Sequence, residues 1–137
     1  MIEVMKVLSV NKVVYLNKIG IHFKHTTCSW VSSSDELHDC HLEETSAAMR
    51  FDYLNIILPA PNLQELIEKL NEEVKLNERL RISFNFEQSL ESNEFEYTCS
   101  VEYTDSLKVT HSYHVKGDLL NSIFKSLSWY AENKKYW

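Results

Sequence analysis

Glycine and proline are scarce in this chain of 137 residues, which contains only two of each. Glycine-rich phosphate loops, dinucleotide-binding fingerprints and nucleophile elbows all need glycine where the backbone turns sharply or approaches a ligand closely. Gly20 and Gly117 cannot supply any of these motifs. The sequence therefore excludes the enzyme classes that are built on such loops.

Long apolar runs are also absent, and none approaches the ~20 residues that span a bilayer. The first ten residues, MIEVMKVLSV, lack the basic start and the small-residue cleavage site of a signal peptide. The three cysteines are an odd number in a chain long enough to form its own core, which indicates reduced thiols. We therefore expect a cytoplasmic protein that does not bind membranes.

Basic residues are missing from two long segments of the chain. None lies between Lys24 and Arg50 or between Arg81 and Lys108, although these segments carry five and six acidic residues. The formal net charge is −6. Because nucleic-acid binding needs a basic surface that neutralises phosphates, we do not expect direct binding of DNA or RNA.

Two helices are predicted in the second half of the chain. Asn62 precedes Glu65 by three residues, a helix-start pattern, and apolar residues at helical spacing continue the helix over about 63–76. Asp118 is the predicted N-cap of the second helix. Its apolar stripe consists of Leu120, Ile123, Phe124, Leu127 and Tyr130.

Three segments with strict alternation of apolar and polar residues lie between these helices. They cover about 80–87, 95–104 and 107–115 and predict an antiparallel meander with one buried and one solvated face. The predicted fold class is α+β, with an antiparallel sheet and two helices on one of its faces. Residues 61–137 then follow the order α-β-β-β-α.

Residues 1–60 form the β-rich N-terminal part of the single predicted domain, 1–137. IEVMKVLSV and KVVYLNKIGIHFKHTTCSWV are predicted as a hairpin that turns at NK, with Gly20 at a bulge. Residues 32–46 are either a loop or a short helix, since Ser33 and Glu36 form a capping-box pattern. AMRFDYLNIIL returns to strand composition. These strands either extend the C-terminal sheet or form a second layer.

The order α-β-β-β-α resembles that of double-stranded-RNA-binding domains and of several small phage-encoded proteins. The resemblance covers about half of the chain and concerns topology alone. That RNA-binding family has a basic cluster at the start of its last helix, where this chain has GDLLNSIFKSLSW with one lysine. The resemblance therefore supports the fold and not an RNA-binding function.

The stretch HFKHTTC and the later HDCH concentrate histidine and cysteine between residues 22 and 41. A zinc site could draw on the thiolates and imidazoles of this segment. Its candidate ligands are His25, Cys28, His38, Cys40 and His41. In the alternative, Cys28 and Cys99 are small buried hydrophobic residues, and the histidines lie at strand edges and in a solvated loop. We favour this alternative because the tight paired-cysteine motif of zinc sites is absent and a domain of this size folds without metal.

A catalytic cysteine is the second chemical hypothesis for this segment. Cys40 lies between His38 and His41, but the neighbouring Asp39 and the glutamates that follow disfavour the thiolate that catalysis needs. No orienting third group can be identified. We therefore predict no catalytic residue, no cofactor and no enzymatic activity.

The polar face of the predicted meander is acidic and rich in hydroxyl groups. It is either an ordinary solvated face or an anionic surface for a basic partner. Its candidate partner-binding residues are Glu87, Glu96, Glu102 and His114. Trp129 and Trp137, near the end of the chain, either pack on their own domain or serve as aromatic anchors for a partner or a second copy.

Together these patterns predict a small acidic protein-binding module that occludes a basic, nucleic-acid-handling partner. Immunity proteins and phage-encoded inhibitors of defence nucleases have this size and charge. The alternatives are a protein that binds zinc or a small molecule through residues 25–41, and a self-assembling structural protein.

Overall fold

The computed structural model of the chain describes residues 6–76, 80–88 and 95–134. These residues form two compact units, and the boundary between the units lies between Glu65 and Leu66. We call them the N-terminal unit and the C-terminal unit. Both combine helices with an antiparallel three-stranded sheet, so the predicted α+β class is confirmed. The single domain over residues 1–137 stays a prediction.

The N-terminal unit contains a sheet of strand order β2-β1-β3, in which both strand pairs are antiparallel. Its core includes the fully buried Leu8, Val13, Leu16, Ile21 and Val31. The elements are α1 (Val10–Lys18), β1 (Cys28–Ser32), a 3-10 turn (Leu37–Asp39), β2 (His41–Glu44), α2 (Thr45–Ala48) and β3 (Ile56–Ala60).

The predicted N-terminal hairpin is wrong, because residues 10–18 form α1. The helix buries Val13 and Leu16, which are three residues apart and therefore share a face. Gly20 is in the left-handed region, with φ at 95°, and ends the helix instead of forming a bulge. The N–H of Gly20 donates to the carbonyl of Asn17 and that of Ile21 to Leu16, which completes a Schellman motif.

The residues that follow α1 also differ from the prediction. Residues 21–27 have no regular secondary structure, so His22 and His25 lie in a loop and not at a strand end. The uncertain segment 32–46 contains the 3-10 turn and the unpredicted strand β2. The predicted Ser33–Glu36 capping box does not form, because the Glu36 N–H donates to the hydroxyl of Ser34 instead.

The N-terminal strands form a sheet of their own and do not extend the C-terminal one. In the stretch that we predicted as one continuous strand, residues 49–55 lie in turns and loop, and β3 begins only at Ile56.

Helix α3 (Leu63–Leu76) crosses the boundary between the units and confirms the predicted range. Asn62 and Glu65 form a reciprocal capping box, in which each backbone N–H donates to the other side chain over 2.9–3.0 Å. The second carboxylate oxygen of Glu65 accepts the N–H of Thr27 over 2.9 Å. One carboxylate therefore fixes both the start of α3 and the loop before β1.

The C-terminal unit continues with β4 (Leu80–Gln88), β5 (Phe95–Thr104), β6 (Thr110–Gly117) and α4 (Leu119–Asn133). The strands are antiparallel in the order β4-β5-β6, as predicted. Strand β6 starts later than predicted because residues 105–109 form its turn. The Asp105 carboxylate accepts the N–H groups of Leu107 and Val109, and Lys108 adopts a left-handed φ of 62°.

Both C-terminal helices contribute to one apolar cluster. Leu80, Val101 and Tyr103 of the sheet pack with Tyr130 of α4, and Val74 of α3 packs against this group. The predicted α4 stripe is buried at Ile123, Leu127 and Tyr130. The same helix face also buries small polar residues that the periodicity did not indicate, Ser122 and Ser126.

Candidate functional site

Residues 35–44 contain five acidic residues and no Lys or Arg, and we call this segment the acidic hairpin. It leads from the end of β1 through the 3-10 turn into β2. The hydroxyl of Ser34 donates to the Asp39 carboxylate over 2.8 Å and so helps to shape the turn. Glu43 is half-buried and the other four carboxylates are exposed. The acidic residues are Asp35, Glu36, Asp39, Glu43 and Glu44.

Two histidines are interleaved with these carboxylates. His38, 75% exposed, lies 3.4 Å from Glu36 and 3.3 Å from Asp39, and His41 lies 3.2 Å from Glu43. Within residues 6–76, 80–88 and 95–134, the ion pairs of the acidic hairpin involve histidine only. An imidazole is charged only when it is protonated, so these described ion pairs give the hairpin no permanent positive counter-charge.

A cleft of about 700 Å³ adjoins the acidic hairpin within the N-terminal unit. One side is formed by the start of α1 and by the Trp30 side chain, whose indole N–H donates to the Leu8 carbonyl over 2.8 Å. The other side belongs to the acidic hairpin. The lining residues are Ser9, Val10, Asn11, Trp30, Asp35, Glu36, Leu37, His38 and Cys40.

The predicted zinc ligands are not brought together. Cys28 pairs with Glu44 at one end of the β1–β2 ladder, whereas Cys40 lies beyond the His41–Val31 pair at the other end. Three residue steps along a strand separate these ends by about 10 Å, while zinc holds each thiolate at ~2.3 Å. Among the residues that the structure describes, no group of three or more His, Cys, Asp or Glu side chains is placed to hold a metal ion.

Each of the three thiols has a raised pKa. Burial raises the pKa of Cys40, and the charge of Asp39 raises it further, in the direction that the sequence indicated. Burial likewise raises the pKa of Cys28, with smaller contributions from Glu44 and Glu65. The pKa of Cys99 is also raised by burial, although a hydrogen bond from Ser126 opposes the shift. None of these positions favours the reactive thiolate.

The polar face of the C-terminal sheet carries charges of both signs. Glu102 lies directly opposite Arg81 on β4, and Lys116 lies opposite Thr98. His114 is opposite Ser100, and its Nδ1 is hydrogen-bonded to the Ser100 hydroxyl at 2.7 Å. This face is therefore less anionic than its acidic residues alone suggest.

The remaining predicted partner-binding residues have different positions. Glu87 and Glu96 are cross-strand neighbours on β4 and β5, and their side chains lie outside the described part of the structure. Trp129 packs against the apolar cluster of its own unit, and its ring stacks on Tyr113 with centroids 5.6 Å apart. Trp137 lies outside the described residues.

An exposed apolar group after α2 was missed by the sequence reasoning. Met49 is 74% exposed and Tyr53 is 63% exposed, and the rings of Phe51 and Tyr53 lie 5.4 Å apart. We predicted a strand here because the segment has the composition of a strand. Helix α2 has only four residues, and Met49 and Arg50 follow it in a turn. Nothing in the sequence of this short stretch distinguishes an exposed turn from a strand.

Nothing in the described ranges amounts to a helix with the length and apolar character needed to cross a membrane. Comparison of the chain with protein-family models, with curated proteins and with solved structures finds no match.

Proposed function

We propose that this chain is a small acidic protein-binding module that occludes the basic surface of a nucleic-acid-handling partner. The observation that carries the proposal is the acidic hairpin, where five carboxylates lie within ten residues. Among the described residues, the ion pairs of this segment join Glu36, Asp39 and Glu43 to histidine. A partner that handles DNA or RNA presents Lys and Arg to phosphates. An anionic surface on this chain would compete with the phosphates of the nucleic acid for these Lys and Arg side chains.

The charge of the acidic hairpin is available to a partner because most of it is exposed. Exposed charges contribute little to the stability of their own fold, but they steer encounter with an oppositely charged surface and select the partner. The mixed polar face of the C-terminal sheet fits this role less well, because Arg81 and Lys116 repel the basic partner that Glu102 attracts. The proposal therefore places the contact on the N-terminal unit.

The test begins with the partner from the native host, captured by chemical cross-linking to the purified chain and identified by mass spectrometry. The affinity of the purified pair is then measured between 50 and 500 mM salt. We expect the dissociation constant to rise by about tenfold or more over this range, because salt screens surface charges. We also expect the chain to inhibit nucleic-acid binding or cleavage by the partner.

Two results would overturn the proposal. One is an affinity that does not change with salt, and the other is a partner whose nucleic-acid activity is unaffected at saturating concentrations of the chain. A version of the chain with Lys at positions 43 and 44 (Glu43→Lys and Glu44→Lys) serves as the reversed-charge control. It should lose inhibition while retaining its fold by circular dichroism.

A further inference from the structure

The cleft beside the acidic hairpin combines three kinds of surface. Trp30 provides an aromatic wall, and the hydrogen bond from its indole to Leu8 restrains the ring. Val10 and Leu37 provide apolar contacts, and Leu37 is 41% exposed. Asp35 and Glu36 supply carboxylates from the acidic hairpin. A ligand that fits must therefore be cationic at one point and apolar along its length.

Three contributions determine the sign of the charge in the cleft. Ser9, Val10 and Asn11 belong to the start of α1, and a helix N-terminus carries a partial charge of about +0.5. His38 lies 3.4 Å from Glu36 and adds a positive charge only when it is protonated. Asp35 and Glu36 contribute two full negative charges, which outweigh the helix dipole even together with a protonated His38, so the cleft favours a cation over an anion.

Arginine meets the requirements of this cleft better than the other cations of a protein surface. Its planar guanidinium stacks on indole rings and pairs with carboxylates through two parallel hydrogen bonds. Its aliphatic stem packs on apolar side chains. A lysine ammonium is a more strongly hydrated point charge that lacks this planar match.

We infer that the cleft binds an arginine side chain of the basic partner, stacked on Trp30 and paired with Asp35 and Glu36. The inference rests on the proposed function and gives it a specific contact. The cleft volume of about 700 Å³ lies within the usual range of ligand pockets, roughly 300–1,000 Å³. Its size suits a short arginine-bearing loop.

The test uses a blocked tetra-arginine peptide as the probe and a tetra-lysine peptide of equal charge as its comparison. Binding to the isotopically labelled full chain is followed by NMR, and the indole N–H signal of Trp30 is identified from a Trp30→Phe variant. We expect the arginine peptide to shift this signal and the amides of residues 35–40. We also expect it to bind about threefold or more tightly than the lysine peptide.

Two double variants each remove two negative charges from the chain, one pair inside the cleft and one pair elsewhere. Asp35→Asn with Glu36→Gln should weaken binding of the arginine peptide by about tenfold, because both carboxylates that pair with the guanidinium are lost; tenfold corresponds to about 1.4 kcal/mol for the two contacts together. Asp52→Asn with Glu132→Gln removes one Asp and one Glu that are exposed elsewhere. This matched control should change the affinity by less than about twofold.

Equal weakening by the two double variants, or equal affinity for the two peptides, would overturn the arginine site. So would an arginine peptide that leaves the Trp30 signal unmoved. The proposed function is judged separately by salt-sensitive inhibition of the native partner. A chain that inhibits its partner but fails the peptide test retains its proposed function through another contact.

Discussion

Asp35 and Glu36 lie exposed beside the cleft of the N-terminal unit, and Glu36 lies 3.4 Å from His38, which is also exposed. In the C-terminal unit, Glu73 is only 9% exposed and accepts a hydrogen bond from the Tyr130 hydroxyl. Carboxylates are therefore exposed to water at this place in the N-terminal unit, whereas Glu73 is buried in the C-terminal unit. A buried carboxylate must be paired to be tolerated, whereas an exposed one stays free to meet a partner.

The strongest test of this contrast is removal of the buried carboxylate. Glu73→Ala leaves the Tyr130 hydroxyl buried without its acceptor, so we expect the free energy of unfolding to fall by about 2–3 kcal/mol. Urea denaturation measures the change. Glu72→Ala, at the exposed neighbour that pairs with Lys69 over 3.3 Å, is the matched control and should cost less than about 1 kcal/mol. Equal losses would remove the distinction between the two kinds of acid.

The second prediction concerns stability at alkaline pH. Burial raises the pKa of Tyr130 to about 12 from an ordinary value of 10, and Glu73 adds to the shift through its charge and hydrogen bond. The folded state therefore holds this proton more tightly than the unfolded state. The resulting stabilisation is complete below pH 10 and is lost as the pH rises through about 12.

The two units of pKa difference correspond to about 3 kcal/mol of unfolding free energy, of which we expect about 2 kcal/mol to be lost by pH 12. The quantity to measure is the difference between the parent chain and Tyr130→Phe from pH 9 to 12, because the other tyrosines contribute equally to both. A difference that stays constant over this range would contradict the prediction.

The smallest effect is expected in the acidic hairpin. Asp35→Asn with Glu36→Gln should change the free energy of unfolding by less than about 0.5 kcal/mol, because both side chains are exposed. Thermal unfolding followed by circular dichroism is sufficient to measure it. A loss above about 1 kcal/mol would mean that these carboxylates stabilise the fold, and the contrast with Glu73 would fail.

The C-terminal unit was predictable because its signals are local and repeated. Strict alternation predicted the ranges of β4 and β5, and the caps at Asn62 and Asp118 predicted the starts of α3 and α4. The prediction failed in the N-terminal unit, where α1 has only nine residues and buries only Val13 and Leu16. Two buried positions are too few to outweigh the strand preference of its valines, although the C-cap signal at Gly20 was present.

The candidate site was predictable in charge but not in shape. The acidic composition of residues 35–44 is visible in the sequence. The cleft exists because Trp30 and the start of α1 lie beside this segment, which is a tertiary arrangement that no local pattern encodes. The separation of Cys28 from Cys40 depends in the same way on the register of β2, a strand that composition did not reveal.

The carboxylate of Glu65 has a consequence for how the chain can be divided. The boundary between the units falls directly after this residue, inside the first turn of α3. Separate expression of an N-terminal half that stops at Ala60, where composition divides the chain, would remove the acceptor of the Thr27 N–H. An N-terminal fragment keeps that acceptor only when it includes the first turn of α3.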